Sequence, residues 1–152
     1  MAASPPEYQK KMTVNNNKPL RPKSQLLHDI EALAVLLNEI HHLFPHKYKY
    51  GYGNKLQLLV SDMVECYHKS QRLVDFNERS KALQTLLVDI DTIYSLLEIM
   101  ASLLTLEDDK LYLIYRHMDK IAKQTKGLSK YFAETARTGL PHQEQSRASI
   151  QL

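Results

Sequence analysis

Residues 83–104 read LQTLLVDIDTIYSLLEIMASLL. Leu83, Leu86, Ile90, Ile93, Leu97, Met100 and Leu104 recur at alternating three- and four-residue steps. That spacing draws a heptad-like stripe down one face of an α-helix. A half-buried strand would instead alternate apolar and polar residues with a period of two, and no segment of the chain sustains that pattern. The helix carrying the stripe is expected to begin near Asp75 to Glu78. The most apolar run of the chain, from Ser95 to Leu106, contains Glu98 and is too short to span a bilayer.

Three more helical patterns surround this one. Leu26, Ile30, Leu33, Leu37, Ile40 and Phe44 make a stripe from about Ser24, a suitable N-cap, to Phe44, where Pro45 stops the helix. Tyr52, Leu56, Leu59, Val60, Met63, Val64 and Tyr67 make the apolar face of a second helix, expected from Gly51 or Gly53 to Val74. A fourth is expected to begin at Thr105, with Asp108 three residues on in a capping-box-like pair and Glu107, Asp108 and Asp109 near the positive helix end. Leu111, Ile114, Met118, Ile121, Thr125, Leu128 and Phe132 form its inner face. Four amphipathic helices with short connections predict an all-α, antiparallel up-down-up-down four-helix bundle over residues 24–133. Residues 1–23, rich in Pro, Asn and Lys, are expected to be a basic flexible arm, and residues 134–152 a polar tail interrupted by Gly139 and Pro141.

Composition agrees. The chain has 152 residues, 43% hydrophobic and 24% charged, which suits one globular domain with a core. Its one cysteine, Cys66, excludes an intrachain disulfide and an all-thiolate zinc site. The N-terminus lacks the apolar segment of a secretory signal, so a soluble cytoplasmic protein is expected. The net charge of +3 is unevenly spread. Residues 1–23 carry five Lys/Arg against Glu7, residues 24–44 carry Asp29, Glu31 and Glu39 and no Lys/Arg, and residues 106–133 carry six Lys/Arg against four acids.

Several constellations invite a chemical reading. Glu39–His42 and Glu65–His68 are Glu-x-x-His pairs on two helices, the spacing used by di-iron carboxylate bundles. Both pairs, however, fall on the far side of their helices from the apolar stripes, and ligands that point outward cannot share an internal metal. His41, His42 and His46 are better read as solvated or capping groups than as ligands, since adjacent helical residues point about 100° apart. No Walker loop, dinucleotide fingerprint or nucleophile elbow occurs, so neither a catalytic site, a cofactor nor a metal is expected. The stretch HHLFPHKYKYGYGNK, residues 41–55, reads as a corner between helices, with Gly51 and Gly53 letting the chain turn. Of its basic and aromatic residues (Lys47, Lys49, Lys55, Tyr48, Tyr50, Tyr52), Lys49 and Lys55 are candidates for phosphate contacts, and Tyr50 and Tyr52 for packing.

The sharper signal lies in the fourth helix. Arg116, Lys120, Lys123, Lys126 and Lys130 are spaced by four, three, three and four residues, opposite the apolar face. Asp119 is the only acid among residues 110–133, so salt bridges within the stripe are scarce and the cations repel one another. Together with Lys49 and Lys55 they form an expected phosphate-binding surface for RNA or DNA.

The order of these features resembles a family. Phe44, Pro45, Lys49, Tyr50, Tyr52, Gly53 and Leu56 follow the pattern Phe-Pro-Lys, two residues, Arg-Tyr, one residue, Leu-Gly, two residues, Leu or Ile, with His46, Lys49 and Tyr52 in the Lys, Arg and Leu places. The leucine seam, the entry at Thr105 to Asp109, Asp119 to Lys123, and the ending Gly127-Leu128-Ser129-Lys130-Tyr131 fit further on. Over about residues 25–133 the chain resembles the small four-helix-bundle accessory variability determinants of diversity-generating retroelements and the related proteins encoded in intervening sequences of bacterial 23S ribosomal RNA genes. The resemblance implies a homo-oligomer, a pentamer with a positively charged centre. It also implies a non-enzymatic partner of a reverse transcriptase that binds nucleic acid and supports mutagenic reverse transcription. The alternative is a helical protein–protein scaffold of the ribosomal intervening-sequence type, without nucleic-acid binding.

Overall fold

The computed structural model describes residues 24–104 and 106–139. The expected arm and most of the expected tail lie outside the described residues, as does Thr105. Four long helices make up the described part: α1 (Gln25–His41), α2 (Asn54–Arg72), α3 (Phe76–Leu103) and α4 (Asp108–Thr138). No strand occurs among the described residues.

Local chemistry sets most of the boundaries. Ser24 caps α1, its Oγ accepting from Leu27 N at 3.2 Å. Asp75 caps α3 in the same way, accepting from Asn77 N at 2.8 Å. Each satisfies one backbone donor that a helix start leaves unpaired. The last helix starts later than the capping-box reading placed it, and Thr105 of that box lies outside the described residues. The N-cap position is Glu107, without a side-chain bond, so Asp108 and Asp109 occupy the first turn and act through the helix dipole instead. Nor does α4 stop at residue 133. Thr135 continues the buried phase from Phe132, and the helix runs to Thr138, where Gly139 at φ +99° ends it.

The joint between α1 and α2 departs most from expectation. Phe44 lies beyond the end of α1, but it is buried, so it keeps its packing role. Helical structure resumes directly after Pro45. His46–Tyr48 form a helical turn in which Tyr48 N and Lys49 N both donate to Pro45 O, at 2.9 and 3.1 Å. Lys49–Gly53 then form a π-helical turn that runs straight into α2. Gly51 and Gly53 therefore do not turn the chain; the change of direction is made by residues 42–45. The buried Gly53 is needed for another reason: a Cβ there would lie 2.3 Å from Cδ2 of the His41 ring. The missing side chain lets the end of α1 close over the start of α2.

Tertiary contacts run around a square. α1 lies against α2 and α4, and α3 lies against α2 and α4, which places α2 and α4 on a diagonal. Side-chain pairs give the directions. Ser24 bonds Tyr67 and Gln57 bonds Asn38, so α1 and α2 are antiparallel; Ser80 bonds Ser129 and Tyr94 bonds Asp119, so α3 and α4 are too. This is the expected up-down bundle. Its centre is the stripe read from residues 83–104: Leu83, Leu86, Ile90, Ile93, Leu97 and Met100 are all at most 1% exposed. They meet Ile30, Leu33, Met63, Ile114, Met118 and Ile121. All four inner faces contain polar residues that the apolar pattern omits, among them Asp29 on α1 and Ser80 and Asp89 on α3. Ser129 is buried on α4 beside Leu128, which packs half-buried against the core, and Cys66 and Ser70 are buried on α2.

Candidate nucleic-acid interface

The outer face of α4 is a product of the helix's own periodicity. At about 100° per residue, Arg116, Lys120, Lys123, Lys126 and Lys130 fall within an arc of roughly 120°, opposite Ile114, Met118, Ile121 and Thr125. The inner residues are buried and the cations are exposed. The ion pairs among the described residues are made by His28, Lys69, Lys81 and Lys110, so none of the five cations has an acidic partner there. The one acid within this reach, Asp119, is engaged by its neighbour: Tyr94 Oη on α3 donates to Asp119 Oδ1 at 2.6 Å. Burial, then the Asp119 carboxylate, push the Tyr94 phenol upward, so it stays a donor. Tyr115 stacks on Tyr94 with ring centroids 5.2 Å apart and braces this edge. On the other edge Gln124 donates to the buried Asp29 of α1 at 2.6 Å. Both flanks of the column are therefore held, while the column itself faces solvent.

Two aromatic residues extend the surface. Tyr112, 63% exposed, precedes Arg116 by one turn, and Tyr131, 40% exposed, follows Lys130. Tyr112 was legible as a residue four before Arg116, but an isolated tyrosine in a helix gives no reason to expect exposure. Beside Lys123 and Tyr131 an open groove of about 570 Å³ runs to the start of α1, with Gln25, Tyr67 and Gln124 on its walls. Cations alternating with exposed aromatic faces can hold phosphates and stack on unpaired bases.

No family model, curated protein or solved structure matches the chain.

Lys49 and Lys55 do not join this surface. Lys49 is half-buried in the π turn and Lys55 is exposed on the first turn of α2, the helix diagonal to α4. The column on α4 points away from that corner, so the sequence residues make two separate basic places rather than one. Tyr52 packs against the core as expected and Tyr48 joins it, but Tyr50, also expected to pack, is 68% exposed with its ring against His46. Among the described residues no helix is long and apolar enough to cross a membrane.

The surface histidines are spread out as their helical positions require. Glu39, His42, Glu65 and His68 are exposed, away from the core, and Glu65 pairs with Lys69 at 3.2 Å. His41 is half-buried over Gly53, its edge against Phe44. Other carboxylates do reach the interior. Asp29 on α1 and Asp89 on α3 are buried, and Asp62 on α2 is half-buried beside Asp89. Burial, then the close approach and the charge of the Asp62 carboxylate, push the Asp89 carboxyl up to about 7, against a lowering by Lys55. Burial also pushes the Cys66 thiol up to about 12, with Asp62 and Asp89 adding to it. Cys66 is therefore an inert thiol here rather than a nucleophile.

Proposed function

We propose that the protein is a non-catalytic bundle that binds the phosphate backbone of RNA or DNA through the outer face of α4. The single observation that carries this reading is the column of exposed cations from Arg116 to Lys130, none with an acidic partner among the described residues. Like charges in a row repel, and a polyanion relieves that repulsion while releasing its own counterions. The sequence likeness over residues 44–56 and along the third and fourth helices extends the proposal. In it the bundle is an accessory of a reverse transcriptase in a diversity-generating retroelement, assembled as a homo-oligomer, a pentamer, whose copies of α4 combine into a larger cationic surface.

Fluorescence anisotropy with labelled single-stranded RNA and DNA tests the central claim. Five neutralised phosphates on a single strand predict that log K falls against log salt with a slope of about −3.5 per subunit, five times the contribution of each contact. Reversal of Lys120 and Lys123 to Glu should abolish most of the binding at moderate salt. Unchanged affinity removes α4 from the interface. Light scattering gives the assembly state, and co-purification with a co-expressed reverse transcriptase tests the partner.

One observation favours a second reading, a scaffold that binds protein alone. Val35 and Leu58 are 59% and 66% exposed, near a groove between α1 and α2 lined by Ala34, Leu37, Val60 and Val64. Retained binding to a partner protein without any affinity for nucleic acid selects that reading.

A further inference from the structure

The seam between α2 and α3 holds a group of side chains that neither the bundle core nor the basic face explains. Asp62 and Cys66 are four residues apart on α2, hence on one face, and Asp89 meets them from α3. One donor atom from each lies within 4.8 Å of the other two. Asp89 is 8% exposed, and its Oδ2 is fully buried with no hydrogen-bond donor among the described groups. Cys66 is tied into the same group, its Sγ donating to Asp62 Oδ2 at 3.7 Å. A buried carboxylate oxygen facing a second carboxylate and a sulfur is costly unless a proton or a cation sits among them.

The geometry points to a divalent-cation site on the α2–α3 seam, with Asp62, Cys66 and Asp89 as ligands and a borderline-soft ion of the zinc class as occupant. The donor set selects the ion. Magnesium and calcium take oxygen ligands alone, whereas zinc accepts one thiolate with carboxylates, at about 2.3 Å to sulfur and 2.0–2.2 Å to oxygen. Tetrahedral ligands at those lengths stand about 3.3–3.7 Å apart, so the three side chains close on the ion by about 1 Å at most through their χ angles. Two of the ligands are buried, while Asp62 is half-buried and opens the group toward solvent. That leaves the fourth position for water and gives the ion a way in. The i, i+4 pair fixes two ligands on one helix, and the third ties α3 to it, so the ion would clamp two neighbouring helices. The inference does not rest on the nucleic-acid reading, since the site faces α3 and not the cationic column.

The test uses the full chain, stripped with a chelator and titrated with Zn²⁺ or Co²⁺ alone. One Zn²⁺ per chain should bind, with a rise in Tm of about 5–10 °C at a hundredfold excess over Kd. Co²⁺ should give the near-ultraviolet thiolate-to-metal charge-transfer absorption and the visible bands of a four-coordinate ion. Cys66→Ser should remove the thiolate band, and Asp89→Asn should weaken binding by tenfold or more. Both variants are checked for native helicity by circular dichroism. Asp62→Asn, at the half-buried ligand, serves if either buried variant fails to fold. His42→Ala combined with His46→Ala and His68→Ala should leave the spectrum unchanged. A stoichiometric complex that persists in all three ligand variants, or whose spectrum vanishes with the histidines, overturns the assignment. So does the absence of any Zn²⁺-dependent change in the wild-type chain.

Discussion

Gly53→Ala tests the reading of the α1–α2 joint. Gly53 has φ −60° and ψ −48°, ordinary helical values that alanine adopts freely. Backbone preference alone would therefore make the substitution stabilising by about 0.5–1 kcal/mol. The structure predicts the opposite sign. The new Cβ would lie 2.3 Å from His41 Cδ2 and 2.6 Å from Nε2, and 3.3 Å from Phe44 Cδ2. The His41 ring has to swing out, losing its edge contact with Phe44 and its approach to Lys49 O at 3.4 Å. Overpacking of this kind costs about 1–3 kcal/mol, so the net change should be a destabilisation of about 0.5–2 kcal/mol. The decisive measurement is the double mutant. In a His41→Ala background the obstacle is gone, and Gly53→Ala should then stabilise. Urea titrations followed by circular dichroism give all four corners of the cycle. If Gly53→Ala stabilises the wild-type chain, or if the sign does not reverse in the His41→Ala background, the close approach at the joint is not what requires glycine.

Three further outcomes are expected. Ile90→Ala, at the centre of the α3 stripe and 1% exposed, should cost about 2–5 kcal/mol in the same titration, as a cavity in a packed core does. Tyr112→Ala should leave stability unchanged and weaken single-stranded RNA binding by about 1–3 kcal/mol in anisotropy, if its exposed face stacks on a base. Asp89 governs the pH response in chelated buffer. Its folded value is raised from 3.8 to about 7, so the bound proton favours the folded chain. That contribution is complete below about pH 4 and is lost as the pH rises through about 7. Asp89→Asn should flatten this part of the pH–Tm curve and be the more stable form at about pH 8.

The helices were legible because apolar spacing and capping residues act locally. Ser24, Asp75 and the stripe from Leu83 to Met100 carry out in space what their positions announce. The exposure of Arg116 to Lys130 followed from the same periodicity. What eluded the sequence depends on neighbours distant along the chain. Glycines in residues 49–53 look like turn signals, but the demand on Gly53 comes from the ring of His41, on another helix. Lys49 and Lys55 were grouped with α4 on charge alone, and only the order of helices around the square shows that they stand on the far diagonal. Asp89 adjoins Ile90 in sequence and looks like a solvated flank of a narrow seam. α3 is instead covered on two sides, by α2 and α4, and the wider contact takes Asp89 inside. The polar residues of the last turn of α4 resembled a tail because Thr135, buried at 3% exposed, is not an apolar marker.

The buried hydroxyl pair between α3 and α4 bears on which alignments of these helices the chain can adopt. The Ser80 and Ser129 hydroxyls lie 2.9 Å apart, each within hydrogen-bond reach of the other's backbone carbonyl, at 3.0 and 3.3 Å, so that their two protons serve this closed group of acceptors. Leucine and isoleucine rows are permissive, since a slip of one turn, about 5.4 Å, replaces one aliphatic contact by another. The serine pair is not permissive. The same slip would leave both hydroxyls in an apolar layer without partners, a cost of about 1–3 kcal/mol for each. A contact that adds little to total stability thus selects one sliding position among several of similar packing energy, and with it the height at which α4 presents its cations relative to the rest of the bundle.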